Sequence, residues 1–124
     1  MNASRSEIYL DYQSSKPVDP RVIDDMMPFF TGKYGNPSAL HKVGDVAEDA
    51  LEESRKEIAK FINADDDEIV FTSGATESNN FALLGYMMKN KRKGNHVIIS
   101  EVEHISIRNI AKYLQMQGFN VTRV

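Results

Sequence analysis

Three short runs of strand character stand apart in this chain, and a helix-length segment separates each from the next. The runs are Glu68-Ile69-Val70-Phe71-Thr72, His96-Val97-Ile98-Ile99-Ser100 and Phe119–Val124. The first interval reads as a helix from Thr76 to about Asn90, with Phe81, Leu84, Met87 and Met88 on its apolar side and Gly94 as its terminator. The second reads as a helix from Ser106 to Gln117 with Gly118 as its C′ residue. Strand–helix–strand–helix–strand is the order of a parallel α/β sheet joined by crossover helices. The third run stops at Val124 with no turn or polar tail, and a buried parallel strand needs neighbours on both sides. The expectation is the N-terminal piece of a longer protein.

Upstream of this block the pattern is mainly helical. Ile8–Asp11 is a short strand candidate, followed by a polar, turn-like stretch to Pro17. Asp19-Pro20 is an N-cap with proline at the first helical position, where the missing N–H has no partner to lose. Val22, Ile23, Met26 and Met27 continue that helix until Pro28, which is expected to kink or end it. A Gly-, Asn- and Pro-rich loop covers Thr31–Ser38. From Val43 a long amphipathic helix runs to a C-cap at Asn63, with Glu52 and Lys56 paired one turn apart.

Composition removes several function classes. Fifteen Lys and Arg against eighteen Asp and Glu give a net charge of −3, the wrong sign for a general nucleic-acid binder. Cysteine is absent, which excludes disulfides, thiolate metal sites and a cysteine nucleophile within these residues. Met1–Glu7 holds no apolar stretch of signal-peptide length, and no segment approaches a membrane span. The reading is a soluble, cytoplasmic protein. Asp65–Glu68 matches no calcium loop and reads as a solvated turn; the basic run Lys89–Lys93 reads as a helix end complementing its dipole.

The segment with most chemical content is Phe71-Thr-Ser-Gly-Ala-Thr-Glu-Ser-Asn-Asn80. A strand leads into a small-residue turn and a helix begins at once. Gly74 and Ala75 let backbone N–H groups approach an anion, the helix N-terminus adds partial positive charge, and the Thr76 and Ser78 hydroxyls add donors. An ordinary strand-to-helix turn with Thr76 as N-cap accounts for the same residues and is the commoner use of such a pattern. It is neither a P-loop nor a dinucleotide fingerprint. His104 follows the second strand at its carboxyl end, the edge where α/β sheets bind ligands. There it can stack on an aromatic cofactor, move a proton, or simply make a local hydrogen bond at a helix start. Tyr34-Gly-Asn-Pro-Ser38 with His41 forms a third cluster, equally readable as a structured loop.

Together these segments resemble the cysteine desulfurases of the NifS/IscS group. The resemblance is carried by Ile8–Asp11, Pro17–Val22, Tyr34–Ser38 with His41, Glu68–Asn80 and Glu103-His104, in order from about Ile8 to Val124. It implies a partial three-layer large domain of a fold-type-I pyridoxal-phosphate (PLP) transferase. Residues 1–42 would be an N-terminal segment and active-site loop, and residues 43–124 the first part of the PLP-binding domain. Ala75 and Thr76 would hold the cofactor phosphate, and His104 would stack on its ring and assist proton transfer. Asn36 and His41 would lie near the active-site entrance and subunit interface. The implied reaction takes L-cysteine to L-alanine and an enzyme persulfide, whose sulfur passes to an iron–sulfur scaffold or another acceptor, in a homodimer. A selenocysteine lyase-like or inactive relative, or a non-catalytic split-chain module, are the alternatives. Asp11-Tyr-Gln-Ser-Ser-Lys-Pro17 stands where the family commonly has Asp-Asn-Ala-Ala-Thr-Thr-Pro, similar to a variant of some archaeal members. The family's Schiff-base lysine, pyridinium-pairing aspartate and persulfide cysteine have no counterpart in these residues, so this chain alone is expected to be inactive.

Overall fold

The computed structural model describes residues 8–124, so the reading of Met1–Glu7 lies outside the described residues. The chain forms two compact units, one running to Ile69 and the other Val70–Val124.

In the first unit, α1 (Pro20–Thr31) starts where the Asp19 side chain accepts from the Arg21 N–H at 2.9 Å, with Pro20 inside the first turn. Pro28, expected to kink or end α1, does not end it and lies inside the helix. Its carbonyl accepts from both the Gly32 and Lys33 N–H groups, at 2.9 and 2.7 Å, and so closes the helix one turn further on. The second helix, α2 (Lys42–Ile62), is capped at its start by the His41 side chain, which accepts from the Gly44 N–H at 3.2 Å. It ends in a left-handed Asn63 (φ 57°), with Ala64 N–H reaching back to Ala59 O at 2.9 Å. That is the six-to-one closure of a Schellman motif, in which asparagine takes the place usually held by glycine. A 3₁₀ turn, Asp66–Glu68, follows, its entry held by Asp65 N–H donating to Glu68 Oε2 at 2.9 Å. Arg55 of α2 bonds Glu52 Oε1 at 3.0 Å and the Ile69 carbonyl.

Two expected strands are not observed. Ile8–Asp11 is irregular and leads into a turn at 12–14. The Tyr9 hydroxyl donates to the Asp11 and Ser15 carbonyls at 3.0 and 2.8 Å, folding the segment on itself instead of extending it. Glu68–Thr72 also lies outside the β1–β2 ladder: Glu68 belongs to the 3₁₀ turn, and residues 69–72 are irregular. Ile69 is extended (φ −93°, ψ 125°), but a strand exists only through pairing, and the sheet among the described residues contains two other segments.

The second unit supplies those segments. It comprises α3 (Ala75–Asn90), β1 (His96–Ile99), α4 (Ile105–Met116) and β2 (Asn120–Arg123). The strands pair in parallel, His96 opposite Asn120 through Ile99 opposite Arg123, so β1-α4-β2 is one crossover unit. This part of the expected α/β fold is observed, as a two-stranded parallel pair with helices. Its core is Ile110 and Leu114 of α4 with Phe119, packed by Leu83, Leu84, Met87 and Val97. Helix α4 closes with a second Schellman motif. Gly118 (φ 84°) occupies C′, with Gly118 N–H to Gln115 O and Phe119 N–H to Leu114 O, both at 3.0 Å. That reversal carries Phe119 into the core and starts β2. Lys91 Nζ donates to the Gln117 carbonyl at 2.8 Å and lies 5.0 Å from the Phe119 ring centre, sealing this end. No helix of the described residues is long and apolar enough to cross a membrane.

Candidate functional site

The start of α3 is built by a short polar sequence with an unusual cap. The N-cap is Gly74 and not Thr76, and it offers no side chain to the helix. Its φ of 157° and ψ of 177° lie in a region that L side chains rarely adopt. Ala75, Thr76 and Glu77 are therefore the first three helical residues. Their N–H groups have no acceptor among the described residues, as helix geometry dictates when a cap gives nothing. The Thr76 hydroxyl likewise has no partner among the described residues, while its carbonyl accepts from Asn80 Nδ2 at 2.8 Å.

The Ser78 hydroxyl, expected as an anion donor, is turned inward. It lies 2.6 Å from Thr72 Oγ1 and 3.3 Å from the Gly74 carbonyl, the back-bond a serine makes to the residue four positions earlier. Thr72 and Ser78 thus brace the turn and leave Thr76 as the outward hydroxyl. Glu77 reaches back over the cap. Its Oε2 accepts from both the Ser73 hydroxyl and the Ser73 N–H, each at 2.6 Å. The hydroxyl bond first, then the backbone bond, hold the Glu77 carboxyl below its ordinary range.

His104 is the N-cap of α4, a position usually given to Ser, Thr, Asp or Asn. Its Nδ1 accepts from the Ser106 N–H at 3.2 Å and lies 2.9 Å from Ser106 Oγ. The local helix-start bond that the sequence allowed is therefore present. Asn79 Nδ2, from the first turns of α3, donates to the same Oγ at 3.0 Å. Thr76 and Ser106 share a cleft of about 420 Å³ whose other walls include Asn80, Asn109, Leu84 and Ile110. His104, which does not line this cleft, is tied to the helix that begins with Ala75 and Thr76 through Asn79 and Ser106. Neither was singled out in the sequence. The available signal was a serine two residues after His104 and an asparagine within the polar Thr76–Asn80 run.

Asn36 and His41 serve the first unit. Asn36 Oδ1 accepts from the Ser38 N–H at 2.9 Å, shaping the loop, and His41 caps α2.

The α3 N-terminus fits a phosphate monoester. Three adjacent N–H groups without acceptors, a free threonine hydroxyl and the positive end of a sixteen-residue helix form a donor set suited to an anion, with open space over Gly74.

The fold, helices on a parallel strand pair, gives a class that comparison with known proteins makes specific. Residues 8–124 match the model of the aminotransferase class-V family, and the chain belongs to that family. Its members use pyridoxal phosphate. Among curated relatives, cysteine desulfurase IscS 1 of Archaeoglobus fulgidus is 56% identical over 113 residues, covering 91% of this chain and 30% of the relative. The probable mitochondrial cysteine desulfurase of Dictyostelium discoideum is 47% identical, covering 95% and 26%. The chain spans less than a third of the length of these relatives. Among solved structures, a NifS-like protein superposes with a TM-score of 0.87 at 36% identity, over 94% of this chain and 32% of that one. SspA in complex with cysteine gives 0.84 at 39%, over 94% and 33%.

Proposed function

We propose that these residues form the cofactor-phosphate portion of a PLP-dependent cysteine desulfurase. The observation that carries the reading is the Gly74-capped start of α3, which leaves the Ala75 and Thr76 N–H groups and the Thr76 hydroxyl to a ligand. The relatives named above supply the substrate class, since both are cysteine desulfurases and one neighbour was solved with cysteine.

When bound, the cofactor supplies an electron sink for bonds broken at the substrate's α-carbon. The chain's own contribution is positional and electrostatic. Ala75 and Thr76 fix the phosphate through backbone N–H groups, with Thr76 Oγ1 adding a hydrogen bond, and the α3 dipole favours the dianion. Braced by Thr72 and Ser78, the turn keeps these donors in place before the ligand arrives. His104 has its Nδ1 engaged, so its Nε2 is the atom left to hold or move a proton and its ring face is left to stack. The Schiff-base lysine and persulfide cysteine of the family would come from sequence other than these 124 residues, which contain no cysteine.

The same reading carries the finer expectations: an N-terminal segment over 1–42 with Asn36 and His41 near the site entrance and interface, a PLP-domain portion over 43–124, a cytoplasmic homodimer, and sulfur delivery to an iron–sulfur scaffold or another acceptor. The test uses amide resonances of the full chain. Pyridoxal phosphate should shift the Ala75 and Thr76 amides while pyridoxal, lacking the phosphate, should not, and Thr76→Val should weaken the response. No borohydride-trappable adduct at a defined lysine and no sulfide release from cysteine should be seen. Equal responses to both compounds, or none at Ala75 and Thr76, would overturn the reading.

A further inference from the structure

Ser106 is 6% exposed, and its hydroxyl is the meeting point of two elements. A buried hydroxyl has one proton to give and lone pairs to fill. Asn79 Nδ2 can only donate, so at 3.0 Å it occupies a lone pair on Ser106 Oγ. The Ser106 proton is then directed at the other neighbour, His104 Nδ1, at 2.9 Å. The Ser106 backbone N–H also points at Nδ1, at 3.2 Å. Both bonds require a bare lone pair on Nδ1, and every donor runs the same way: Asn79 to Ser106 to His104.

We propose that Asn79 and Ser106 are positioning residues that fix His104 as the Nε2–H tautomer, and so decide which ring atom faces a ligand and whether it donates. His104 Nε2 has no partner among the described residues, and the residue is exposed overall. The relay therefore presents a donor, not a lone pair, at the outer edge of the imidazole. It also ties the ring's orientation to the first turns of α3, the same turns that carry the phosphate donors. The service of this tautomer to a cofactor rests on the function proposed above; the tautomer itself rests on the three bonds alone.

The chain has three histidines, so a long-range proton–nitrogen spectrum of the full, nitrogen-15-labelled chain can be assigned with single His→Gln variants. At a pH where imidazoles are neutral, the two ring-nitrogen shifts distinguish the tautomers. His104 should be in the Nε2–H form. Ser106→Ala keeps the backbone bond and removes the hydroxyl, so the ratio should relax by roughly two- to ten-fold, the net weight of one neutral hydrogen bond. Asn79→Asp should act further. A carboxylate accepts the Ser106 proton, leaving Oγ to accept from the ring, and the Nδ1–H form should gain population beyond that in Ser106→Ala. Should Asn79→Asp disturb the amide spectrum, the parent chain and Ser106→Ala decide. An Nδ1–H ring in the parent, or an unchanged ratio in folded Ser106→Ala, overturns the proposal. Because this readout needs no ligand, it stands apart from the pyridoxal-phosphate titration: a fixed tautomer with silent Ala75 and Thr76 amides would sink the cofactor reading and keep the relay.

Discussion

Replacing Gly74 and Gly85 by alanine should move stability in opposite directions, and the contrast isolates what the α3 cap is doing. Neither position crowds a new methyl group, since a Cβ at either would meet nothing within 4 Å. Sterics with neighbours therefore drop out, and only backbone conformation is left. At Gly85, inside α3, the backbone is helical, so alanine should stabilise by about 0.5–1 kcal/mol through the lower entropy of its unfolded chain. At Gly74 the φ of 157° and ψ of 177° fall where an L side chain is strained, and alanine should cost about 1–3 kcal/mol. Urea titration of the two variants beside the parent reads both signs. A second consequence separates a cradle from a plain turn. To escape the strain, the Gly74→Ala backbone must rotate, which re-aims the Ala75 and Thr76 N–H groups, so the pyridoxal-phosphate response at those amides should fall while Gly85→Ala keeps it. If Gly74→Ala were as stable as the parent and bound phosphate equally, the special geometry of this cap would be incidental and the cradle argument would fail.

Two other perturbations test the second unit. Leu114 is 1% exposed at the centre of its core, so Leu114→Ala should lower stability by about 3 kcal/mol or more, whereas Met116→Ala, at an 81% exposed site on the same helix, should stay within about 0.5 kcal/mol; equal midpoints would place the core elsewhere. Glu77 is held below the ordinary 4.5 by its two bonds from Ser73, so the unfolded chain takes up its proton first as pH falls. Its contribution is fully present above the unfolded value and is lost as pH drops through the lower folded value. Ser73→Ala removes the larger of the two bonds and should shrink that acid-limb slope, Glu77→Gln should abolish Glu77's share, and a slope untouched by either variant would refute the assignment.

The helices were legible in the sequence because their determinants are local. Asp19-Pro20 starts α1, Asn63 ends α2 and Gly118 ends α4 by chemistry contained within a few residues. The parallel pairing of β1 with β2 was legible too, since a strand, a crossover helix and a second strand admit few arrangements. Glu68–Thr72 and Ile8–Asp11 were misread for the converse reason. A strand is defined by its partner, and apolar or β-branched residues show only a capacity for pairing. At Ile8–Asp11 the Tyr9 hydroxyl bonds the Asp11 carbonyl and, further on, that of Ser15, a local alternative to pairing. Hydroxyl direction was equally hidden: Thr76 and Ser78 look alike as donors in sequence, yet one helical turn of back-bonding consumes Ser78 and spares Thr76.

What the sequence did carry, in retrospect, was a departure from ordinary cap chemistry at two helix starts in one unit. Most N-caps close themselves with a side-chain oxygen, which satisfies an orphan donor and leaves little for a ligand. Helix α3 is capped by a glycine that gives nothing, so its N–H groups stay available. Helix α4 is capped by an imidazole, which satisfies its helix with one nitrogen and keeps a second for other work. A glycine cap is only slightly weaker than a side-chain cap, and His41 caps α2 with an imidazole in the same way; what sets the starts of α3 and α4 apart is that they are joined. Asn79 and Ser106 join the two starts in a donor chain that runs one way only, from α3 to the imidazole. The coupling of these two helix starts through Asn79 and Ser106 is the basis for proposing that phosphate anchoring and ring positioning belong to one site.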